Sequence, residues 1–492
     1  HAGHDPEGCV ALNIFEAFHL QAKFQPTAPA ICAPGRALGL VSYGRLEALA
    51  NNAARHALSQ GVKRGDTVAV ICADPVLHWI LVLGLGRIGA ISLSSVAPSV
   101  PAECKVSVAI TDTGGGVQNA ARVLPADQGW IAGDGKPPPV DVEQDSLAIA
   151  RIILTSGTTG HPKGVALSHD MMVRRLYSFD VAFGSRLPAC TRSFLDPGIA
   201  ANFGFLWGIY TLARGGALFL RGRDAAETLQ ALTLYNVQCM IASPGGLAEI
   251  LDYYERSPAF SSPFEVVMSI ASMLVKPLAD RVRASLASNL IGAYGATEGN
   301  PTAAAPAHHM ADIPGAVGYV SPGMIVEAAD HDGRALPTGQ EGLLRFRGPR
   351  CVDGYVGNPP GSDKFFRNGW FYPGDIGRVT EHGMMVVTGR EKNIIDLGGT
   401  KISPEAVEAV LMSYPGVSFA TALGVPNALG IEEVWAAVTG SAGLDPQAMR
   451  DHCARRLPAG EAPVRVVQVA DIPRLAIGRV DRRKLQEMLK SI

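Results

Sequence analysis

Hydrophobic and polar positions alternate with two clear periods along this chain. In the stretch beginning at Tyr43, Leu46, Leu49, Ala50, Ala53, Ala54 and Ala57 recur at helical spacing, which predicts a helix over Tyr43–His56. Gly65-Asp66 marks a turn, and the β-rich run Thr67–Cys72 predicts a buried strand. Trp79–Ile88 is apolar on all sides and predicts a buried helix, followed by a short strand over Ala90–Leu93. Strand, helix and strand in this rhythm imply a mainly parallel sheet with helices on its faces. Lys136-Pro137-Pro138-Pro139 interrupts it as a loop, and the alternation resumes at Leu147 and continues to about residue 325.

Beyond that point short strands and turns take over, as in Gly342–Arg347 and Gly383–Thr388. A last unit starts near Arg390. Ser403-Pro404 reads as a helix start, with Ser403 as N-cap and Val407, Val410 and Leu411 as its apolar face. The strand Trp435–Val438, the helix Pro446–Arg456 and the strand Val464–Val469 follow. The fold class expected is therefore α/β. A large N-terminal domain of mainly parallel sheets, flanked by helices and carrying a β-rich subdomain, spans residues 1–389. A small α+β domain spans residues 390–492.

Composition narrows the function. The 43 Lys and Arg against 45 Asp and Glu leave a net charge of −2, which offers no electrostatic footprint for nucleic acid or an anionic membrane. The longest uncharged stretch, Pro197–Ala213, carries a proline, an asparagine and several glycines, so it reads as core strand and helix and no stable membrane insertion is expected. The eight cysteines form no CxxC pair and several lie in apolar runs. Buried, reduced thiols in a cytoplasmic protein are the expectation. The 55 glycines and 34 prolines have no period, so their excess belongs in loops.

One such loop carries chemistry. The buried run Ile152-Ile153-Leu154 leads into Thr155-Ser156-Gly157-Thr158-Thr159-Gly160-His161-Pro162-Lys163-Gly164. Glycines let the backbone approach a ligand and expose N–H groups, hydroxyls add donors and a lysine adds charge, which together suit a polyphosphate. It is not a Walker A loop, because Lys163 is followed by glycine rather than Ser or Thr.

This segment resembles the phosphate loop of the adenylate-forming superfamily: acyl- and aryl-CoA ligases, peptide-synthetase adenylation domains and luciferases. Further segments match in the family's order. They are Tyr294-Gly295-Ala296-Thr297-Glu298, Gly369–Asp375 (with Pro373 where Thr is usual), Gly389–Ile395, Gly398–Glu405 and Pro473–Arg482. The resemblance covers nearly the whole chain from Tyr43 onward and is strongest to the acyl-CoA synthetases. It implies a ligase that joins a small carboxylic acid to ATP, forming an acyl-adenylate and pyrophosphate, and then transfers the acyl group to coenzyme A with release of AMP. A carrier-protein thiol or an amine is the alternative acceptor.

The same resemblance assigns roles. Thr155, Ser156, Gly157, Thr158, Thr159, Gly160 and Lys163 would hold the β- and γ-phosphates. Thr297 would donate to the α-phosphate and Glu298 would hold Mg²⁺. Ala293, Tyr294 and Gly295 would line the adenine, with the tyrosine ring stacked on it. Asp375 would receive the ribose hydroxyls, assisted by Arg390. The small domain would rotate about a hinge at Lys392, and Gly398, Gly399 and Lys401 would line the pantetheine channel. A homodimer is left open.

Two departures stand out. Gly478-Arg479 occupies the place of the family's Gly-Lys, whose lysine reaches the α-phosphate and the substrate carboxylate. Arginine keeps the charge but has a planar fork. Three readings stay open: an arginine that does the lysine's work, an engineered substitution, or a nucleotide-binding pseudoenzyme. Ile199-Ala200-Ala201-Asn202-Phe203-Gly204 stands where the family often has an aromatic-His gate, and Ser269-Ile270-Ala271-Ser272-Met273 where it often has Ser-Gly-Gly; Asn202, Phe203, Ala271 and Ser272 are the acyl-pocket candidates. These four would flank an acyl pocket that is small, apolar and without a basic residue for a second carboxylate, favouring a neutral acyl or aryl acid.

Overall fold

The computed structural model describes residues 12–141, 145–155, 162–184, 187, 192–256, 264–397, 401–427, 431–474 and 480–492. Ser156, Gly157, Thr158, Thr159, Gly160, Gly398, Gly399 and Arg479, all named above for nucleotide or thiol contacts, lie outside them. The chain forms two compact units. The first comprises residues 1–240, 297–300 and 349–366, and the second residues 241–296, 301–348 and 367–492.

The first unit holds a six-stranded sheet in the order Val123–Pro125, Val108–Thr111, Thr67–Ile71, Ile91–Ser94, Ile149–Thr155, Lys163–Ser168. All neighbours are parallel except the last pair, which is antiparallel with Thr155 opposite Lys163. Ala69, Ile71, Leu93, Ala109 and Ile152 pack as one core cluster on this sheet. The expected helix at Tyr43 runs to Ser59, and the one expected at Trp79 starts earlier, at Pro75. Asp74 caps that helix by accepting from Val76 N and Leu77 N, and Pro75 occupies its first position, where no N–H is missed. The run Pro197–Ala213 yields the buried helix Asn202–Ala213.

In the second unit Val266–Ser269 and Leu290–Ala296 are parallel. An antiparallel set then runs from Ala316–Val320 through Met384–Arg390 and Asp375–Val379 to Gly342–Arg347. C-terminal to it come a two-stranded ribbon, Ile395–Asp396 with Lys401–Ile402, and the three-stranded sheet Val417–Pro426, Glu432–Gly440, Arg465–Gln468. Pro404–Met412, Pro446–Ala454 and Arg482–Ser491 are its helices. Ser403 does precede the first of these, but its hydroxyl bonds Glu405 at 2.6 Å and makes no capping bond. The architecture is the mixed α/β fold expected, with the larger sheets N-terminal and the small α+β segment C-terminal.

Among the described residues no helix is long and apolar enough to cross a membrane. Cys32, Cys104, Cys239 and Cys453 are buried, and Cys72 and Cys351 are partly buried.

Candidate functional site

Two clusters gather seven of the residues singled out by sequence. In the first unit, Thr297 and Glu298 occupy the turn between Leu290–Ala296 and Asn300–Pro306. Asn300 closes this turn with φ +61°, a conformation asparagine tolerates better than most residues. Glu298 is buried, and Tyr355 donates its hydroxyl to Glu298 Oε1 at 2.7 Å. Burial first, then the Glu298 charge and this bond, push the Tyr355 phenol far above its ordinary range, so it stays a donor.

Lys163 is close by. Its ammonium sits 4.8 Å from the Tyr355 ring centroid and 4.2 Å from that of Phe365, and among the described residues Nζ has no hydrogen-bond partner. Burial holds this lysine below the usual range, against the pull of the Glu298 and Asp363 carboxylates. Aromatic faces are a favourable but weaker substitute for an anion. Thr155 flanks it, donating Oγ1 to Lys163 O at 3.4 Å, so these two residues form the base of the glycine-rich segment. Gly164 is required there by close approach. A Cβ would stand 2.8 Å from Cys104 Sγ, and Val356 N donates to the Gly164 carbonyl at 2.8 Å. The base of the loop is thereby tied to the loop segment that carries Tyr355.

Replacing Tyr355 by Phe would keep the ring facing Lys163 and delete only the donor to Glu298. Hydrogen bonds to a charged group contribute roughly 1.5–3 kcal/mol. The expected result is an adenylation rate lowered about tenfold with an intact fold, read by pyrophosphate release and circular dichroism.

In the second unit, Asp375 is buried at the start of its strand, directly across the antiparallel register from Arg390. Arg390 Nε donates to Asp375 Oδ1 at 2.6 Å, and Tyr294 donates its hydroxyl to Oδ2. Gly374, with φ +79°, makes the turn that delivers the carboxylate, a conformation that costs other L-residues about 1–2 kcal/mol. Tyr294 thus engages Asp375 through its hydroxyl, while its ring packs edge-on against Phe346 at 6.1 Å.

The segment behind Asp375 is held by stacked cations and rings. Arg345 and Arg347 each lie 4.3 Å from the Trp370 centroid, and Arg367 lies 3.9 Å from that of Tyr372. Arg345 also donates to the Tyr372 hydroxyl and to Gly333 O, both at 2.8 Å.

The four acyl residues divide between the units. Asn202 opens the helix Asn202–Ala213, and Phe203 stacks on Trp207 with centroids 5.7 Å apart. Ala271 and Ser272 follow the strand Val266–Ser269. Ala271 has φ +71°, a left-handed backbone conformation that glycine adopts more readily than alanine. The left-handed conformation costs alanine about 1–2 kcal/mol, partly offset by its lower unfolded-state entropy. Ala271→Gly is therefore expected to stabilise the protein by roughly 0.5–1 kcal/mol, seen as a higher urea midpoint.

Lys392 is exposed in a turn closed by Asn393 N to Arg390 O at 2.9 Å, and Lys401 lies in the short C-terminal ribbon.

Sequence reasoning missed Tyr355, the stacked arginines and, above all, Arg175. This arginine lies on the inward face of the helix His169–Phe183, with Met172 and Phe179, and is wholly buried. It donates to the carbonyls of Thr297 and Arg350 at 2.9 Å, to that of Glu298 at 3.3 Å and to Asn202 Oδ1 at 3.3 Å. A basic residue three positions after one apolar residue and four before another was the available signal.

The sequence pattern of the AMP-binding enzyme family matches residues 98–356, more than half of the chain, and that of the AMP-binding enzyme C-terminal domain matches residues 406–479. A probable CoA ligase of Humulus lupulus is 27% identical over 485 residues, covering 91% of each chain. A feruloyl-CoA synthase of an Amycolatopsis species is 28% identical over 433 residues, covering 83% of this chain and 84% of its own. The crystal structure of ATP-bound MatB from Rhodopseudomonas palustris superposes with a TM-score of 0.80 at 24% identity, covering 98% of this chain and 99% of that one, and so shares the fold. With both family patterns in order on this fold, the chain belongs to the AMP-binding, adenylate-forming enzymes and is of the acyl-CoA-synthetase type.

Proposed function

We propose that the protein is an ATP-dependent acid–CoA ligase that adenylates a neutral acyl or aryl carboxylic acid and passes the acyl group to coenzyme A. The observation that carries this reading is the buried Glu298 with Lys163 beside it in the first unit; within the second unit Asp375 is buried and held by Arg390. Each lies in a segment where the family handles ATP. A carboxylate attacking a polyanion faces charge repulsion, so such an enzyme works by orienting and neutralising rather than by supplying a covalent group.

In this reading Asp375 accepts the ribose hydroxyls with the lone pairs that Arg390 and Tyr294 leave free. Thr297 donates to the α-phosphate, and Lys163 turns from its aromatic faces toward the β- and γ-phosphates. Thr155 flanks them at the loop's base, and Arg479 meets the substrate carboxylate. Ala293 and Gly295 line the adenine. Asn202, Phe203, Ala271 and Ser272 border the acid, whose neutral character is supported by the apolar run of which Phe203 and Trp207 are part. The segment from residue 390 rotates about Lys392 between the half-reactions, bringing Gly398, Gly399 and Lys401 to the thiol.

A magnesium ion fits this arrangement. Among the described residues no three or more His, Cys, Asp or Glu side chains cluster as a metal cage. Magnesium rarely uses such cages and is more often held by one or two carboxylates together with substrate phosphates. Glu298 is a buried carboxylate of that kind. When bound, the ion would neutralise phosphate charge.

The test is release of AMP and pyrophosphate from ATP, Mg²⁺ and coenzyme A across a panel of aliphatic, aromatic and dicarboxylic acids. Thioester formation on coenzyme A with a neutral acid is the expected result. No AMP with any acid removes the ligase reading, and product only with a holo carrier protein redirects the acceptor.

A further inference from the structure

Burying a guanidinium is costly. The penalty is several kcal/mol per ion even after relaxation, and it is usually offset by an opposing carboxylate. Arg175 has none within ion-pair distance among the described residues. Its partners are three main-chain carbonyls and one side-chain amide oxygen, all neutral, and among the described residues its Nε–H has no partner. A leucine on the same helix face would cost nothing to bury. A residue retained against such a penalty needs a reason other than packing.

The identity of its partners supplies one. Two of the three carbonyls belong to Thr297 and Glu298, the adjacent pair proposed to meet the α-phosphate and magnesium. The third belongs to Arg350, and Val352 N in the same segment donates to the Glu298 carbonyl at 2.9 Å. The fourth partner, Asn202, opens the helix proposed to border the acid, and its Nδ2 donates to Asn300 Oδ1 at 3.3 Å, on the far side of the Thr297–Glu298 turn. One planar fork thus meets both main-chain carbonyls of the pair and one side chain of the acyl site.

Resting on the ligase reading, we propose that Arg175 is a positioning residue: it holds the Thr297–Glu298 backbone in register with Asn202, so that the phosphate-facing groups and the acid are presented together. It touches neither substrate. Its effect comes from orientation, since a misplacement of about 1 Å costs on the order of 100-fold in rate. A fork of five N–H groups in one plane suits this, because a lysine's point-like ammonium cannot reach several carbonyls in fixed directions.

Arg175→Lys and Arg175→Met test the proposal on the full-length protein. Calorimetry would measure ATP affinity with Mg²⁺ and with EDTA, beside kcat and KM for pyrophosphate release and the melting temperature. Residues that orient a metal ligand typically affect metal affinity or activity by about 10- to 100-fold. The expected result for Arg175→Lys is a fold that melts cooperatively, a fall in kcat of that size with a smaller change in KM for ATP, and loss of most of the gain in ATP affinity that Mg²⁺ provides to the wild type. An unchanged Mg²⁺ gain and kcat in the lysine variant overturn the proposal, whatever the melting temperature. Should Arg175→Met fail to fold, the lysine variant alone decides. Should the wild type form no AMP with any acid, the ligase reading falls while the calorimetric comparison still reads Arg175.

Discussion

Glu298→Gln is expected to slow adenylation by about 100-fold while leaving the fold intact. Removing one oriented charge stabiliser commonly costs roughly 3 kcal/mol of barrier. The structure gives the reason that the loss is catalytic rather than structural. Tyr355 donates to Glu298 Oε1, and a glutamine carbonyl accepts that same bond. The backbone contacts of residue 298 with Arg175 and Val352 are untouched by the change. What disappears is the negative charge beside Lys163 and, in the proposed site, the ligand for magnesium. Pyrophosphate exchange at saturating ATP, paired with a melting curve, checks this. An exchange rate equal to wild type would show that Glu298 holds no metal during adenylation.

Asp375→Ala is expected to lower both stability and nucleotide binding. Asp375 is 1% exposed and receives both Arg390 Nε and the Tyr294 hydroxyl. Burial works against the Arg390 charge, and Asp375, Tyr294 and Glu405 together outweigh it, so the guanidinium is held above its ordinary range. Deleting the carboxylate leaves this charge without its anion. Breaking a buried pair from one side typically costs about 3–5 kcal/mol; Arg390 is 27% exposed on its side chain, which brings the expected loss toward or below the low end. In the proposed site the same change removes the acceptor for ribose, so KM for ATP rises while the acid's KM moves little. Asp375→Asn separates the two effects: it keeps an acceptor for Arg390, recovers part of the stability and leaves nucleotide affinity impaired. A stable Asp375→Ala with unchanged KM for ATP would contradict the ribose assignment.

The candidate site was legible where chemistry and chain order coincide. Asp375 and Arg390 are 15 residues apart in one motif-bearing stretch, and the antiparallel register that pairs them follows from two short β-rich runs joined by turn residues. Thr155 and Lys163 likewise flank one glycine-rich segment, and the two strands carrying them set them opposite each other. Tyr355 was not legible. It lies 57 residues beyond Glu298, and no period or spacing links them. The adenine role expected for Tyr294 rested on its aromatic ring, whereas its hydroxyl is engaged by Asp375 through a neighbour that only folding provides.

What the sequence by itself determined about this protein is its family, its α/β class and the stretches that carry the chemistry, because these rest on local signals: helical spacing from Tyr43, Pro404 after Ser403 at a helix start, glycines and hydroxyls crowded into ten residues. Only the tertiary structure decided which groups hold those stretches in place. Arg175 stands next to Arg174 in the chain. Arg174 is exposed and pairs with Asp170 at 2.8 Å, while Arg175 turns inward to carbonyls 122, 123 and 175 residues away. The physical reason is that a single position's direction around a helix, and the carbonyls that distant turns present to it, are properties of packed elements and not of any one segment of chain.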